Sequence, residues 1–343
     1  MNIAMISTKN DPPDLICGVA SYSEILIDAF KRLGYDIFHV NQKDGHFSTG
    51  YQNQQPIFNA QSIINKDVDV IHIQYQDFLY PDKDGLLSFL SWCHNNQVKV
   101  VYTLHDFCVP SIILSQTERS QVIVHHQSFL RMCPKAFVIP QPVPILDVDL
   151  GSLSMIVDQI DGLSTEFFKK KVISFGLGRN QYELLIPKMA EICKDRKDVI
   201  YLICVPLKRD VERIKSFIKE EDQSYVFVVD QFLKKEILYS LLMQCDACLI
   251  DYPDIQEVVT SSSLRWAIGA KCTPLCRRSK WFDDVVDEQF VVFYHQLEDL
   301  KERIHFILDD HSAYCLRRAL MDDYIGKYRS ELVVEKHLEV YLS

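Results

Sequence analysis

Short apolar runs alternate with helix-length amphipathic segments through the first half of the chain. The runs that predict strands are Met1–Ser7, Tyr35–Val40, Asp69–Gln74, Val98–Leu104, Gln121–His125 and Ala136–Ile139. After the first run, Gly18 begins a segment with apolar residues at helical spacing, and Gly34 ends it. Strands that alternate with helices in this way form parallel sheets, so the pattern predicts an α/β unit.

The second half of the chain repeats this alternation. Strands are predicted at Val172–Phe175, Val199–Val205, Tyr225–Val229, Ala247–Asp251 and Phe290–Phe293. Helices are predicted at Tyr182–Lys194, Arg209–Lys219, Lys234–Gln244, Leu264–Ile268 and within Leu297–Leu342. Between the halves, Pro140–Pro144 and the acidic Asp147–Asp149 have the composition of a linker. We therefore expect two α/β units, the second beginning near Lys171.

The stretch Asp246–Leu275 combines a buried strand, an acidic polar loop and a helix that is entered through Ser261, Ser262 and Ser263. These serines can cap the helix, and the free backbone N–H groups of its first turn then face the carboxyl edge of the strand. Phosphates commonly bind at this place in open α/β sheets, so we expect an anionic ligand there. A plain helix cap without any ligand is the alternative.

Two further positions follow strands of the first unit. His105 and Asp106 come directly after the run Val98–Leu104, where ligands bind in doubly wound sheets. Gly18 lets the backbone approach a ligand closely, although a simple tight turn explains this glycine equally well. His72 lies inside a predicted strand and is interpreted as a core histidine with a satisfied hydrogen bond.

Composition and charge narrow the class of protein. The 343 residues are 48% hydrophobic and 24% charged, which is typical of a globular chain with two cores. Lys and Arg number 37 against 47 Asp and Glu, and the net charge of −10 argues against general binding to nucleic acid or anionic lipid. With no 18-residue apolar run and no leader-like start, a cytoplasmic protein is expected.

The 11 cysteines are scattered through apolar segments, so reduced core thiols are expected. Four thiolates suit zinc, so Cys245, Cys248, Cys272 and Cys276 are a candidate set of zinc ligands. Cys248 lies inside a predicted buried strand, whose neighbouring side chains point to opposite faces, and this argues against such a site. No metal is therefore expected.

The order of the motifs resembles the retaining family 4 glycosyltransferases of the GT-B fold. The matching segments are GVASYSEILIDAFKRLGYDI, DVDVIHIQ and VVYTLHD in the first half, and VISFGLGR and SSSLRWAIGAKCTPL in the second. The resemblance implies two Rossmann-like domains that face each other across a cleft. Residues 1–165 would form the acceptor domain, residues 171–322 the nucleotide-sugar donor domain, and residues 323–343 a helix that returns to the first domain.

The resemblance also implies roles for individual residues. A nucleoside diphosphate would bind Arg179 and the backbone of Ser262, Ser263 and Leu264, with Gly18 near the same phosphates. His105 would donate a hydrogen bond to the transferred sugar, and Glu257 would accept from its hydroxyls. The donor would be a nucleotide diphosphate sugar and the acceptor a glycan or a lipid-linked molecule. No cofactor or metal is implied, and peripheral contact with the inner face of a membrane is compatible with this activity.

Two departures from the family pattern bear on activity. The second glutamate of the family's paired motif is replaced by Trp266, and Glu257 takes the place of the first only with a shift of one residue. The lysine expected shortly after Arg179 is absent, and Lys208 or Arg209 is a possible substitute. Trp266 is either a core residue or a platform for a ring. The replacement at Trp266 favours one alternative, a catalytically inactive GT-B-like binding or partner-stabilising subunit. A nucleotide-sugar 2-epimerase on the same fold is the other.

Overall fold

The computed structural model describes residues 1–8, 18–41, 51–52, 55–56, 67–106, 109–148, 163, 169–176, 180–205, 208–230, 233–255 and 260–343. In these ranges the chain forms two six-stranded parallel sheets and one short antiparallel hairpin. The hairpin joins β3 (Tyr51–Gln52) to β4 (Gln55–Pro56) and falls within residues 42–60, a polar segment rich in Gln and Asn.

The first sheet has the strand order β2-β1-β5-β6-β7-β8. Its strands are β1 (Ile3–Ser7), β2 (Ile37–Asn41), β5 (Val70–Tyr75), β6 (Lys99–Leu104), β7 (Gln121–Val124) and β8 (Phe137–Val138). Its helices are α1 (Gly18–Arg32), α2 (Lys83–Asn95) and the single turn α3 (Ser111–Leu114). Every residue of β1 and β5 is buried, as expected for parallel strands that are covered on both faces.

The second sheet has the order β11-β10-β9-β12-β13-β14. Its strands are β9 (Lys170–Phe175), β10 (Val199–Cys204), β11 (Val226–Val229), β12 (Ala247–Ile250), β13 (Thr273–Arg277) and β14 (Val292–Tyr294). Its helices are α4 (Tyr182–Arg196), α5 (Lys208–Lys215), α6 (Lys235–Met243) and α7 (Ser262–Gly269). The order reverses between β9 and β12, and ligands of doubly wound sheets bind outside the strand ends at such a reversal.

Strand β13 was not predicted from the sequence. It lies between β12 and β14 and contains Pro274, a residue that is rare in the interior of a sheet because it lacks an N–H group. The short run that contains this proline therefore did not look like a central strand. Its position next to β12 completes the sheet behind α7.

The last three helices are α8 (Leu300–Asp309), α9 (His311–Tyr328) and α10 (Ser330–Leu342). Helix α10 returns to the first sheet and packs on α1, where the rings of Phe30 and Tyr341 stack with their centroids 5.8 Å apart. The Tyr341 hydroxyl also lies 2.5 Å from His72 Nδ1 of β5. The prediction of two α/β units with a final helix that returns to the first is therefore confirmed.

The two crossings between the units lie side by side. The backbone N–H of Val143, in the predicted linker, donates to the carbonyl of Tyr328 at 2.8 Å, where α9 ends before α10. Val143 is fully buried, and a Cβ placed on Gly269 at the end of α7 would overlap the carbonyl oxygen of Pro144. The linker segment is thus packed against the second unit.

Eight of the nine cysteines in the described ranges are buried, and all nine are free thiols. Burial raises the pKa of the Cys245, Cys248, Cys272 and Cys276 thiols well above its ordinary value, which favours the protonated thiol that the sequence predicts. None of the helices in the described ranges combines the length and the apolar character needed to cross a membrane.

Candidate active site

A cavity of about 630 Å³ lies between the two sheets. Its walls come from residues that directly follow the carboxyl ends of strands in both sheets, including Gln76 after β5, His105 after β6, His125 after β7 and Gly176 after β9. Both sheets therefore present to one space the edge at which α/β proteins bind ligands.

Two helix N-termini meet in this cavity. Helix α1 begins at Gly18 and α7 begins at Ser262, and a Cβ added to Gly18 would lie 3.5 Å from the hydroxyl oxygen of Ser262. The structure therefore brings together three residues that the sequence selected, Gly18, Ser262 and Ser263, and all three line the cavity. The positive ends of two helix dipoles that face one space favour an anion between them.

The cap of α7 determines which of its amides are free. Ser261 has extended backbone angles, and its hydroxyl accepts from the backbone N–H of Leu264 at 3.2 Å. The Leu264 side chain is fully buried in the core. The Leu264 amide, which the sequence assigned to a phosphate, is therefore engaged by the cap, and the N–H groups of Ser262 and Ser263 remain for a ligand.

Gly176 supports this helix from the second sheet. Its φ of +117° lies in a region that favours glycine, and a Cβ at this position would come within 3.1 Å of the Ser263 hydroxyl. That hydroxyl also accepts from the Tyr252 hydroxyl at 3.0 Å. A larger residue at position 176 would therefore disturb both the turn after β9 and the first turn of α7.

Three of the predicted site residues have side chains outside the part of the chain that the structure describes. Arg179 and Glu257 fall outside the described residues. Lys208 begins α5, but its side chain is likewise outside the described part. Their proposed contacts to phosphate and sugar stay predictions from the sequence.

His105 stands on the opposite wall, at the end of β6. Its Nε2 lies 2.8 Å from the Gln74 carbonyl oxygen Oε1, which can only accept, so the ring proton resides on Nε2 and Nδ1 carries a lone pair. Burial, with smaller effects of His125 and His337, lowers the pKa of His105 well below its ordinary value, so the ring is neutral. The Nε2–H group, which the resemblance would have donate to a sugar hydroxyl, thus donates to Gln74. The other ring nitrogen, Nδ1, can only accept a hydrogen bond.

His105 belongs to a group of four histidines, the other three of them buried, that sequence reasoning did not assemble. The histidine group consists of His72, His105, His125 and His337. His72 is fully buried and its Nε2 lies 2.7 Å from the Thr103 hydroxyl, which confirms its interpretation as a core histidine. Tyr22 of α1 contacts the rings of His105 and His125 edge-on, at 4.9 and 5.0 Å. The four histidines lie in β5, directly after β6, directly after β7 and in α10, so no local pattern indicates the group.

Trp266 agrees with both interpretations from the sequence, since it packs in the core and also borders the cavity. The side chain is 9% exposed and meets Tyr239 edge-on at 6.0 Å, yet it borders the cavity. The next residue toward the start of α7, Arg265, is buried and forms an ion pair with Asp284. Helix α7 therefore places Trp266 at the border of the cavity and a buried charge, Arg265, in the core.

The comparisons with known proteins concern the fold. No protein-family model matches the sequence, and no curated protein matches it. Among solved structures, a glycosyltransferase from Rickettsia africae is 13% identical with a TM-score of 0.71, over 99% of this chain and 97% of that one. Anabaena Alr3699/HepE, solved with UDP and glucose, is 13% identical with a TM-score of 0.67, over 99% and 98% of the two chains.

A third solved structure extends the same likeness. The α,α-trehalose-phosphate synthase (UDP-forming) from Burkholderia xenovorans, solved with glucose-6-phosphate, is 11% identical with a TM-score of 0.66, and the match covers 100% of both chains. Identities this low establish a common fold. The predicted GT-B architecture, two Rossmann-like α/β units about a cleft, is therefore confirmed.

Proposed function

We propose that this chain is a retaining glycosyltransferase of the family 4 type, which moves a sugar from a nucleotide diphosphate sugar to a hydroxyl acceptor. The observation that carries the proposal is the meeting of two helix N-termini, at Gly18 and Ser262, inside one interdomain cavity. A diphosphate placed there would receive N–H groups from both units and the favourable ends of two dipoles. The similar glycosyltransferase structures support the same interpretation, and two of them contain UDP or a phosphosugar.

The chemistry asks the protein to stabilise a leaving group. The bond between the anomeric carbon and the diphosphate oxygen breaks, and its electron pair stays on the diphosphate. The amides of Ser262 and Ser263 would stabilise this charge, with Arg179 and Lys208 as the proposed cations. The acceptor oxygen bonds to the same face of the sugar, and its proton passes to the leaving phosphate. His105 and Glu257 would hold the sugar hydroxyls during this exchange.

The replacement of the second family glutamate by Trp266 favours a second candidate, a GT-B-like subunit that binds a nucleotide sugar without turnover. The indole offers a ring face to the cavity where a carboxylate would accept from a ribose diol. Incubation of the purified chain with a panel of UDP-, GDP- and dTDP-sugars, each in the presence of methyl glycosides as acceptors, separates the two. Release of nucleoside diphosphate supports the transferase, and binding without release supports the subunit.

The site itself is tested by Gly18→Asp, with Gly18→Ala as the matched control. The alanine Cβ would make an ordinary contact 3.5 Å from Ser262, whereas the aspartate would place a negative charge where the diphosphate is expected. Calorimetry should show that UDP, GDP or dTDP binds the aspartate variant at least tenfold more weakly, since about 1.4 kcal/mol of repulsion suffices for that. The alanine variant should bind nearly as tightly as the unaltered chain.

The thermal stability of Gly18→Asp serves as a further control. Aspartate in the first turn of α1 is favourable to the helix dipole, so the melting temperature should not fall. If the aspartate variant folds normally and binds the nucleotide as tightly as the unaltered chain, the proposed anion site is wrong. The same conclusion follows if the unaltered chain binds none of the three nucleotides.

A further inference from the structure

The first unit turns an exposed aromatic ring toward the cavity. Phe78 is 67% exposed and lines the cavity, while the neighbouring Leu79 is 8% exposed and belongs to the core. Both residues lie in a short 3-10 turn, Asp77–Leu79, that follows β5. A large apolar side chain left in water at the edge of a cavity forgoes the stabilisation that burial gives, and such residues commonly mark binding sites.

The turn that carries Phe78 is held on several sides. The Asp77 backbone N–H donates to Asp106 Oδ2 at 2.7 Å, and Asp77 Oδ1 accepts from Lys83 Nζ at 2.7 Å and from the Tyr75 hydroxyl at 2.8 Å. The Leu79 N–H closes the turn on the Gln76 carbonyl at 2.8 Å. The ring of Phe78 is therefore presented by a fixed backbone, as a preorganised binding surface requires.

Asp106 places a carboxylate beside this ring. Its Oδ2 is bound to the turn through Asp77, and its other oxygen has no hydrogen-bond partner among the residues that the structure describes. The residue lines the cavity next to His105. Burial raises the pKa of Asp106 to about 6, partly offset by the hydrogen bond from Asp77, so the group is still ionised at neutral pH. An ionised carboxylate only accepts hydrogen bonds, so it selects ligands that donate them.

We propose that Phe78 and Asp106 form the acceptor subsite and that it takes an uncharged sugar ring. A sugar has an apolar C–H face, which stacks on a phenyl ring, and a rim of hydroxyls that donate to a carboxylate. A lipid tail would satisfy Phe78 but would bury Asp106 without a partner, which is unfavourable. An anionic acceptor would be repelled by the ionised Asp106, whereas the charge of Asp77 is offset by its ion pair with Lys83. The inference rests on the proposed function and specifies its acceptor.

Ligand-observed NMR on the UDP-saturated chain tests the subsite. The probes are the methyl glycosides of glucose, galactose, mannose and rhamnose, with glucose-6-phosphate and farnesyl phosphate as charged and lipid comparators. At least one methyl glycoside should show saturation transfer that is strongest on its ring C–H protons. Phe78→Leu should weaken its binding about three- to tenfold because leucine lacks a flat face, and Phe78→Trp should restore it. Asp106→Asn should weaken it about tenfold or more.

Phe137→Leu is the matched control, since Phe137 is an exposed phenylalanine of the first unit that does not line the cavity. It should leave glycoside binding unchanged. Phe78 is largely exposed, so its variants should keep the melting temperature and the UDP affinity of the unaltered chain. If Phe78→Leu binds farnesyl phosphate as well as the unaltered chain does and no methyl glycoside binds, the acceptor proposal is wrong. Failure of the unaltered chain to bind UDP would instead contradict the proposed function.

Discussion

The two walls of the cleft are built from different chemistry. The wall from the second sheet offers backbone N–H groups and hydroxyls, at Ser262, Ser263 and the glycine turn of Gly176. The wall from the first sheet offers neutral imidazoles and an exposed phenyl ring, at His105 and Phe78. The first kind of surface suits an anion, and the second suits a neutral polyol. The contrast indicates that the two units differ in the ligand groups that they can bind.

The largest effect is expected at the buried ion pair between Asp284 and Arg265 of α7, the helix that begins with Ser262 and Ser263. Arg265→Ala would leave Asp284, whose side chain is 7% exposed, buried without its partner. Removing one member of such a pair costs about 3–5 kcal/mol of folding free energy. Urea unfolding followed by circular dichroism measures this loss. The double replacement Arg265→Met with Asp284→Leu should recover most of it, and a single variant as stable as the unaltered chain would show that the pair does not hold α7.

The wall of the cavity that contains Ser262 and Ser263 could be predicted from the sequence because its residues are neighbours along the chain. A run of three serines between a buried strand and a helical pattern indicates a capped N-terminus, and Ser261 is indeed the cap. The sequence did not show that the Leu264 N–H donates to this cap, because a run of three serines does not indicate which of them is the cap. Strand β13 was missed for a similar reason, since Pro274 obscured a strand that the sheet accommodates.

The opposite wall of the cavity, which contains His105, could be predicted only in part. His105 was found from its place after a strand, but the acceptor that fixes its tautomer, Gln74, lies on the neighbouring strand β5. His337 reaches the same group from α10, and contacts between residues so far apart in sequence leave no periodic pattern. Phe78 was not singled out because one phenylalanine after a strand gives no signal of its exposure.

The histidine group should make the first unit sensitive to acid. Burial lowers the pKa of His72 to about 3 and that of His125 to about 4, against 6.5 for a free side chain. The folded state therefore stays neutral at these sites while the unfolded state binds protons below pH 6.5, so stability falls as the pH falls through that value. From pH 7 to pH 5.5 these two groups together should lower the free energy of unfolding by about 2.5 kcal/mol.

Urea titrations at the two pH values test this loss, with His125→Asn as the comparison. The asparagine amide can still donate to the Ile139 carbonyl, which His125 Nδ1 contacts at 2.9 Å, but it does not titrate. Its stability should change between pH 7 and pH 5.5 by about 1.2 kcal/mol less than that of the unaltered chain. Equal stability of the unaltered chain at pH 7 and pH 5.5 would mean that the group is not held neutral in the fold.

The smallest effect is expected at an exposed ion pair between the two units at the rim of the cavity. Lys235 of α6 lies 3.4 Å from Asp28 of α1, with side chains 42% and 50% exposed. Such exposed pairs are worth about 0–1 kcal/mol, so Lys235→Ala should lower the free energy of unfolding by less than 1 kcal/mol. Lys215→Ala removes a comparable exposed pair within the second unit and is the control. A loss several times larger for Lys235 alone would indicate that this contact joins the units.

The return of α10 to the first unit has a consequence for the order in which the chain folds during synthesis. Tyr22 of α1 lies 3.2 Å from His337, a residue 315 positions later, and Val333, Val334 and Tyr341 belong to the same core as Phe30. While the ribosome makes the second unit, one face of α1 therefore has no partner and its apolar side chains meet water. Units made first usually fold first, but here the first unit is completed last. We therefore expect the apolar side chains of α1 that face α10 to be exposed in the nascent chain until α10 has been made.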